Sequence, residues 1–169
     1  MSNIVEIEGT EKDTIKWIWH IADIHIKKNL NRREEFQEIF ENLYQKIWIE
    51  KITKKNSYIV IAGDLLDDGV NLKANSIDLL SKSLIKLSKL ARIFIIAGNH
   101  DNDIKGSTPN ERIDSLSALF EFVKQQGKNA RIHYLRDTGI YRAGNCLLYV
   151  PSIFDLEKYC SNSDEDYKK

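Results

Sequence analysis

At 169 residues with 42% hydrophobic content, the chain is long enough for one domain with a sizeable core, and disorder is not its default. Its 25 basic and 25 acidic side chains cancel, so no overall positive field argues for nucleic-acid binding, and any such contact must come from a local patch. Cys146 and Cys160 are the only cysteines, too few for a disulfide framework, which favours a reducing compartment, cytoplasmic or nuclear, over secretion; no stretch nears the roughly 18 apolar residues of a membrane span.

Residues 1–14 are polar and acidic and read as a leader or a short edge strand, held by nothing periodic. Runs 17–22, 58–62 and 93–97 are apolar and too short for helices, which suits strands buried on both faces of a sheet. Between the first two, Phe36, Ile39, Phe40, Leu43 and Ile47 recur at helical spacing. A second amphipathic helix, from about 72 to 90, places Leu80, Leu84 and Leu87 on one stripe. A third is expected near Pro109, where Thr108-Pro109-Asn110-Glu111 has the spacing of a capping box, with Ile113, Leu116, Phe120 and Val123 as its apolar face. Beyond Arg131 the pattern changes to short strands, 132–135, 139–142 and 147–150. The expected organisation is a leader over 1–14, one α/β domain with a βαβαβ core over 15–160, and a polar tail over 161–169. Crossovers of this length favour a parallel sheet, so the first strands should end at one edge.

At that edge the sequence concentrates its chemistry: Asp23-Ile24-His25, Gly63-Asp64-Leu65-Leu66-Asp67 and Gly98-Asn99-His100-Asp101 follow the three apolar runs. In extended backbone Asp23 and His25 face the same way and can grip one ion. Gly63 lets the chain turn so that Asp64 points across the sheet edge, and Asn99 offers a neutral oxygen. Asp23, Asp64 and Asp67 would repel one another without a cation. Oxygen ligands with imidazole and no cysteine suit manganese first, then magnesium, iron or zinc. Two divalent ions sharing Asp64 would activate a water for attack on phosphorus, with His100 protonating the leaving group. Asp67 either accepts a hydrogen bond from His100 or caps the turn. Asp101 reads as a turn residue outside the catalytic set, Asp68 as solvent-facing, and His20, His133 and the tryptophans Trp17, Trp19 and Trp48 as core. Lys27, Lys28, Arg32 and Arg33 either touch a phosphate backbone or form a solvated face.

These strings resemble the first three motifs of the calcineurin-like metallophosphoesterases, over about residues 17–103. The resemblance implies that Asp23 and His25 bind one metal, that Asp64 bridges, that Asn99 binds the second, and that His100 and Asp67 form the acid pair. Trp19-His20-Ile21-Ala22-Asp23-Ile24-His25 and Ala97-Gly98-Asn99-His100-Asp101 look more like the SbcD and Mre nucleases of DNA break repair than like the protein phosphatases. Arg33-Glu34-Glu35-Phe36 and Tyr149-Val150-Pro151-Ser152 point the same way. That branch implies a DNA substrate, a coiled-coil ATPase of the SbcC/Rad type and a homodimer partner, with no membrane. The family's downstream Gly-His-x-His string is absent, since His133 is the only histidine after His100. The expectation is therefore an N-terminal portion of a larger αββα domain, with at most weak activity alone. The rivals are a phosphatase or phosphodiesterase acting on small nucleotides or phosphoproteins, and a non-catalytic interaction module on the same scaffold.

Overall fold

The apolar runs of the sequence become adjacent strands of a single sheet. The computed structural model describes residues 4–27, 32–50, 56–68, 73–103 and 113–155. In chain order they form β1 (Ile4–Glu6), β2 (Trp17–Ile21), α1 (Arg33–Ile49), β3 (Ser57–Ala62), α2 (Ala74–Ser88), β4 (Arg92–Ile96), β5 (Asn102–Asp103), β6 (Ile113–Asp114), α3 (Ser115–Gln126), β7 (Ile132–Tyr134), β8 (Gly139–Ala143) and β9 (Cys146–Val150). Strands β2, β3, β4 and β7 lie side by side in that order, all parallel. A second sheet has the order β1-β8-β9, and β5 pairs with β6 as a short antiparallel ribbon. This is the mixed α/β architecture with a parallel core that the hydrophobic pattern predicts.

Strand periodicity divides the core in two. Ile59, Ile61, Ile93 and Ile95 face the helices and pack with Phe36, Phe40 and Ile47 of α1, Leu80, Leu84 and Leu87 of α2, and Leu116, Phe120 and Val123 of α3. Tyr58 and Phe94 point to the other side, against Tyr141, Ala143 and Val150 of the second sheet. Each such buried aliphatic or aromatic side chain contributes about 1.5–3 kcal/mol relative to exposure. Because β3 and β4 are covered on both faces, their exits are rigidly placed. No helix among the described residues is long and apolar enough to cross a membrane.

Several expectations are corrected. β2 is an edge strand: Trp17 and Ile18 are 60% and 51% exposed, and His20 is exposed where a core position was expected. It has a neighbour on one side only among the described residues, and the cluster under the second sheet does not reach Ile18 or His20. Trp48 is likewise exposed near the end of α1. Helix α3 starts at Ser115, with the Asp114 carboxylate accepting from the Ser117 amide (3.1 Å) and hydroxyl (2.7 Å), so Asp114 is the cap and Ile113 belongs to β6. The capping box at 108–111 lies outside the described residues. Within 1–14, residues 4–6 form β1, paired parallel with β8, and Thr10 and Asp13 are buried.

Candidate metal centre

β2, β3 and β4 end at the same edge, and after each the chain leaves extended conformation. Gly63 is left-handed at φ 84°, and so are three residues with side chains: Asp23 (55°), His25 (49°) and Asp64 (49°). These are the positive-φ non-glycine residues among those described. An L side chain there costs about 1–2 kcal/mol and persists only if the surroundings hold it. The restraint comes from the neighbouring loops. Asp23 N donates to Gly63 O (3.3 Å), His25 N to Asp64 O (2.9 Å), Ile26 N to Leu65 O (3.0 Å) and Asp67 N to Ile26 O (3.2 Å). The ladder between β2 and β3 thus continues past the strands, through the Ile26–Leu66 bridge. Gly63 N donates to Ile96 O (3.1 Å), and His100 N donates to Asp64 Oδ1 (3.0 Å), which ties in the third loop. A Cβ at Gly98 would fall 2.1 Å from Asp64 Oδ1, so glycine is required for this approach.

The extended geometry expected for Asp23 and His25 is replaced by these left-handed turns, yet their side chains still converge. His25 Nε2 lies 3.9 Å from Asp23 Oδ1 and 3.8 Å from Asp64 Oδ2. Ligand atoms of His25, Asp64 and His100 all lie within 4.8 Å of one another. Donors sharing one ion at about 2.0–2.2 Å stand about 3–4 Å apart, a spacing that His25 Nε2 meets with Asp23 and Asp64, and the N/O chemistry suits a divalent cation. The Asp64 side chain is only 14% exposed, whereas Asp23 is 73% exposed and forms the open side.

The pairing expected between His100 and the Asp67 carboxylate is not formed. Asp67 Oδ1 lies 3.5 Å from His25 Nδ1, while His100 Nδ1 lies 3.2 Å from the Asp67 main-chain carbonyl. The cause is the Ile26–Leu66 bridge, which draws Asp67 alongside the first loop. A carbonyl only accepts, so Nδ1 of His100 is the donor in this contact. The His25 and His100 rings meet edge to face, with centroids 4.7 Å apart. His100 is therefore close enough to join the ligands, a place that sequence reading reserved for Asn99; its position next to Asn99 was the only signal. Asn99 itself is exposed at the head of the 3-10 turn Asn99–Asp101.

Asp101 is fully buried, and its carboxylate accepts from Gly98 N (2.9 Å), Leu66 N (2.8 Å) and Leu65 N (3.3 Å). Burial pushes its carboxyl above the usual range, and the three amides oppose that shift. Of the basic run after the first motif, Arg32 is paired with Glu35 (2.6 Å) and Arg33 with Asp78 (3.1 Å); Lys28 lies outside the described residues. His133 is turned away from this edge: it stacks on Phe94 at 5.3 Å and its Nε2 meets Arg92 Nη1 at 3.1 Å.

The sequence profile of the calcineurin-like phosphoesterases matches residues 16–165. An uncharacterized protein, R555, of Acanthamoeba polyphaga mimivirus is 32% identical over 151 residues, which is 89% of this chain and 11% of that protein. This chain thus spans about a tenth of that relative's length. Among solved structures, phosphopantetheinyl hydrolase from Mycobacterium tuberculosis is similar over 83% of this chain and 43% of its own, at 13% identity and a TM-score of 0.38.

Proposed function

The chain belongs to the calcineurin-like phosphoesterase family, and on that premise we propose that it hydrolyses phosphodiester bonds in DNA, in the manner of the SbcD and Mre nucleases. Family membership and the clustered donors support metal-dependent phosphoester hydrolysis; the nuclease branch rests on the likeness of the strings around Asp23 and Asn99. The observation that carries the reading is the convergence of His25, Asp64 and His100 within 4.8 Å at the exits of parallel strands. Asp23, His25, Asp64 and Asn99 would hold two divalent ions, manganese first, with Asp64 shared. Such ions, when bound, polarise the phosphate and make a water nucleophilic at neutral pH. The chain's own residues do the rest. Asp67 orients His25 through Nδ1, so that Nε2 faces the carboxylates. His100, held at Nδ1 by the Asp67 carbonyl, would give the leaving oxygen a proton from Nε2 when the ring is doubly protonated, and is left as the neutral Nδ1–H imidazole. The family likeness also proposes a coiled-coil ATPase and a second copy as partners, in a cytoplasmic or nuclear compartment.

His133 is engaged with Arg92 and Phe94, so it adds no ligand here. We therefore expect residues 1–169 to bind Mn2+ weakly and to turn over slowly. The test is calorimetric titration with Mn2+, together with cleavage of single-stranded DNA, an aryl phosphodiester and a phosphopeptide. Faster cleavage of DNA than of the other two supports the nuclease reading, and turnover of the phosphopeptide alone would sink it. One observation favours a second reading, a phosphodiesterase for small substrates: Arg32 and Arg33 are occupied by Glu35 and Asp78, which removes two cations from a polymer-binding surface.

A further inference from the structure

Asp101 supplies no atom to the cluster of His25, Asp64 and His100, yet its buried carboxylate joins two of the three loops. Its carboxylate is fully buried between the β3 and β4 exits. Oδ1 takes the Leu66 amide, and Oδ2 takes both the Leu65 and the Gly98 amides. Leu65 follows Asp64 directly, and Gly98 precedes Asn99 and His100. Three donors from two chain segments converge on one side chain, and no neutral side chain of this size accepts all three. The Asp101 amide also donates to Gly98 O at 3.3 Å, so the 3-10 turn is closed on itself around the same carboxylate.

We propose that Asp101 is a positioning residue for metal binding: it clamps the left-handed turn at Asp64 to the turn carrying Asn99 and His100, and so sets the separation of the ligand atoms. The inference rests on the metal-dependent reading above. Its physical content is an entropy argument: ligands held at the right spacing bind an ion without first being ordered, while loosely held ligands lose affinity by the cost of ordering. Asp64 cannot hold this geometry alone. Its Oδ1 takes only the His100 amide, and its φ of 49° is a conformation that its neighbours must enforce.

Asp101→Asn is the informative change, because it keeps the volume while replacing one oxygen by an NH2 group. Whichever way the amide turns, that NH2 faces at least one backbone N–H and repels it. The expected result is a loss of Mn2+ affinity of about 10- to 100-fold by calorimetry. In the metal-free chain the amides of Leu65, Leu66 and Gly98 should also exchange hydrogen faster, while β3 and β4 keep their protection. Arg92→Met, which acts at the far end of β4, serves as the control for general destabilisation and should retain wild-type affinity at a temperature where it is folded. Should Asp101→Asn fail to fold, Asp101→Ser is read in the same way. Wild-type affinity in the Asp101 variant overturns the proposal, as does an equal loss of affinity in Arg92→Met. A wild-type chain that binds no Mn2+ at all would instead overturn the metal reading on which the proposal stands.

Discussion

The two ends of the central sheet use polar residues in opposite ways. At the N-terminal end of β4, Asp13 Oδ2 accepts from Arg92 Nε (3.3 Å) and from the Tyr58 hydroxyl (3.2 Å), and Arg92 also donates to Gly9 O and meets His133 Nε2. The side chains of Asp13 and Arg92 are only 6% and 5% exposed, and donors meet acceptors throughout. Burial and the Asp13 charge push the Tyr58 hydroxyl well above its usual pKa, so it stays a donor. At the C-terminal end, two carboxylates, Asp23 and Asp64, crowd the same His25 imidazole at 3.9 and 3.8 Å, beyond hydrogen-bond range. The first arrangement is complete in itself and pins the N-terminal segment to the sheet. The second becomes favourable when a cation fills it, which is the physical mark of a binding site as opposed to a structural network.

That contrast is broken or sharpened first by Asp64→Asn. The variant keeps an acceptor for His100 N but removes the charge that both ions would share. Mn2+ binding should become undetectable by calorimetry and turnover should fall to background, while the melting temperature changes little or rises as repulsion is relieved. Retained binding would mean that Asp64 is not central. Next comes His100→Asn, expected to reduce turnover by roughly 10² to 10⁴ because proton transfer is lost. Its Mn2+ affinity should stay within about tenfold of wild type, the lower bound of what a lost supporting partner costs. A larger drop would move His100 from acid to ligand, a role that its place in the cluster also permits.

At the opposite end, Arg92→Met should lower stability by about 3–5 kcal/mol in urea denaturation, because Asp13 is left buried and unpaired. If it also abolished Mn2+ binding in the folded protein, the two ends would not be independent and the comparison would fail.

How far the sequence could be read differs between these ends for a physical reason. The site strings announce themselves because a glycine, an acidic residue and a histidine at a strand exit serve local purposes, a turn and a ligand, that neighbouring residues reveal. Asp13 and Arg92 are 79 positions apart, and nothing local marks either as buried. The apolar runs placed β3 and β4 correctly, but an apolar run does not say whether a neighbour covers it, so the exposure of Ile18 and His20 on β2 was not legible. The pairing of Asp67 with His100 is what the family resemblance implies. The actual partner of Asp67 depends on the Ile26–Leu66 bridge, a contact between loops that no spacing rule encodes.

The smallest effect expected is a pH dependence from His133. Burial, reinforced by the charges of Arg92 and Lys124, lowers its pKa in the folded protein to about 4, against about 6.5 in the unfolded chain. Between these values the unfolded chain binds a proton that the folded protein refuses, so stability rises with pH across the window from about 4 to about 6.5 and is lost as pH falls through it. The slope must be below about 1.4 kcal/mol per pH unit, since the ring is only partly buried and solvent screens part of the charge. His133→Gln keeps an acceptor for Arg92 and cannot titrate. Its denaturation free energy should therefore fall less than that of the wild type between pH 7 and pH 5. Parallel curves for the two proteins would show that the His133 ring takes up its proton without cost, and that the N-terminal network is looser than its hydrogen bonds imply.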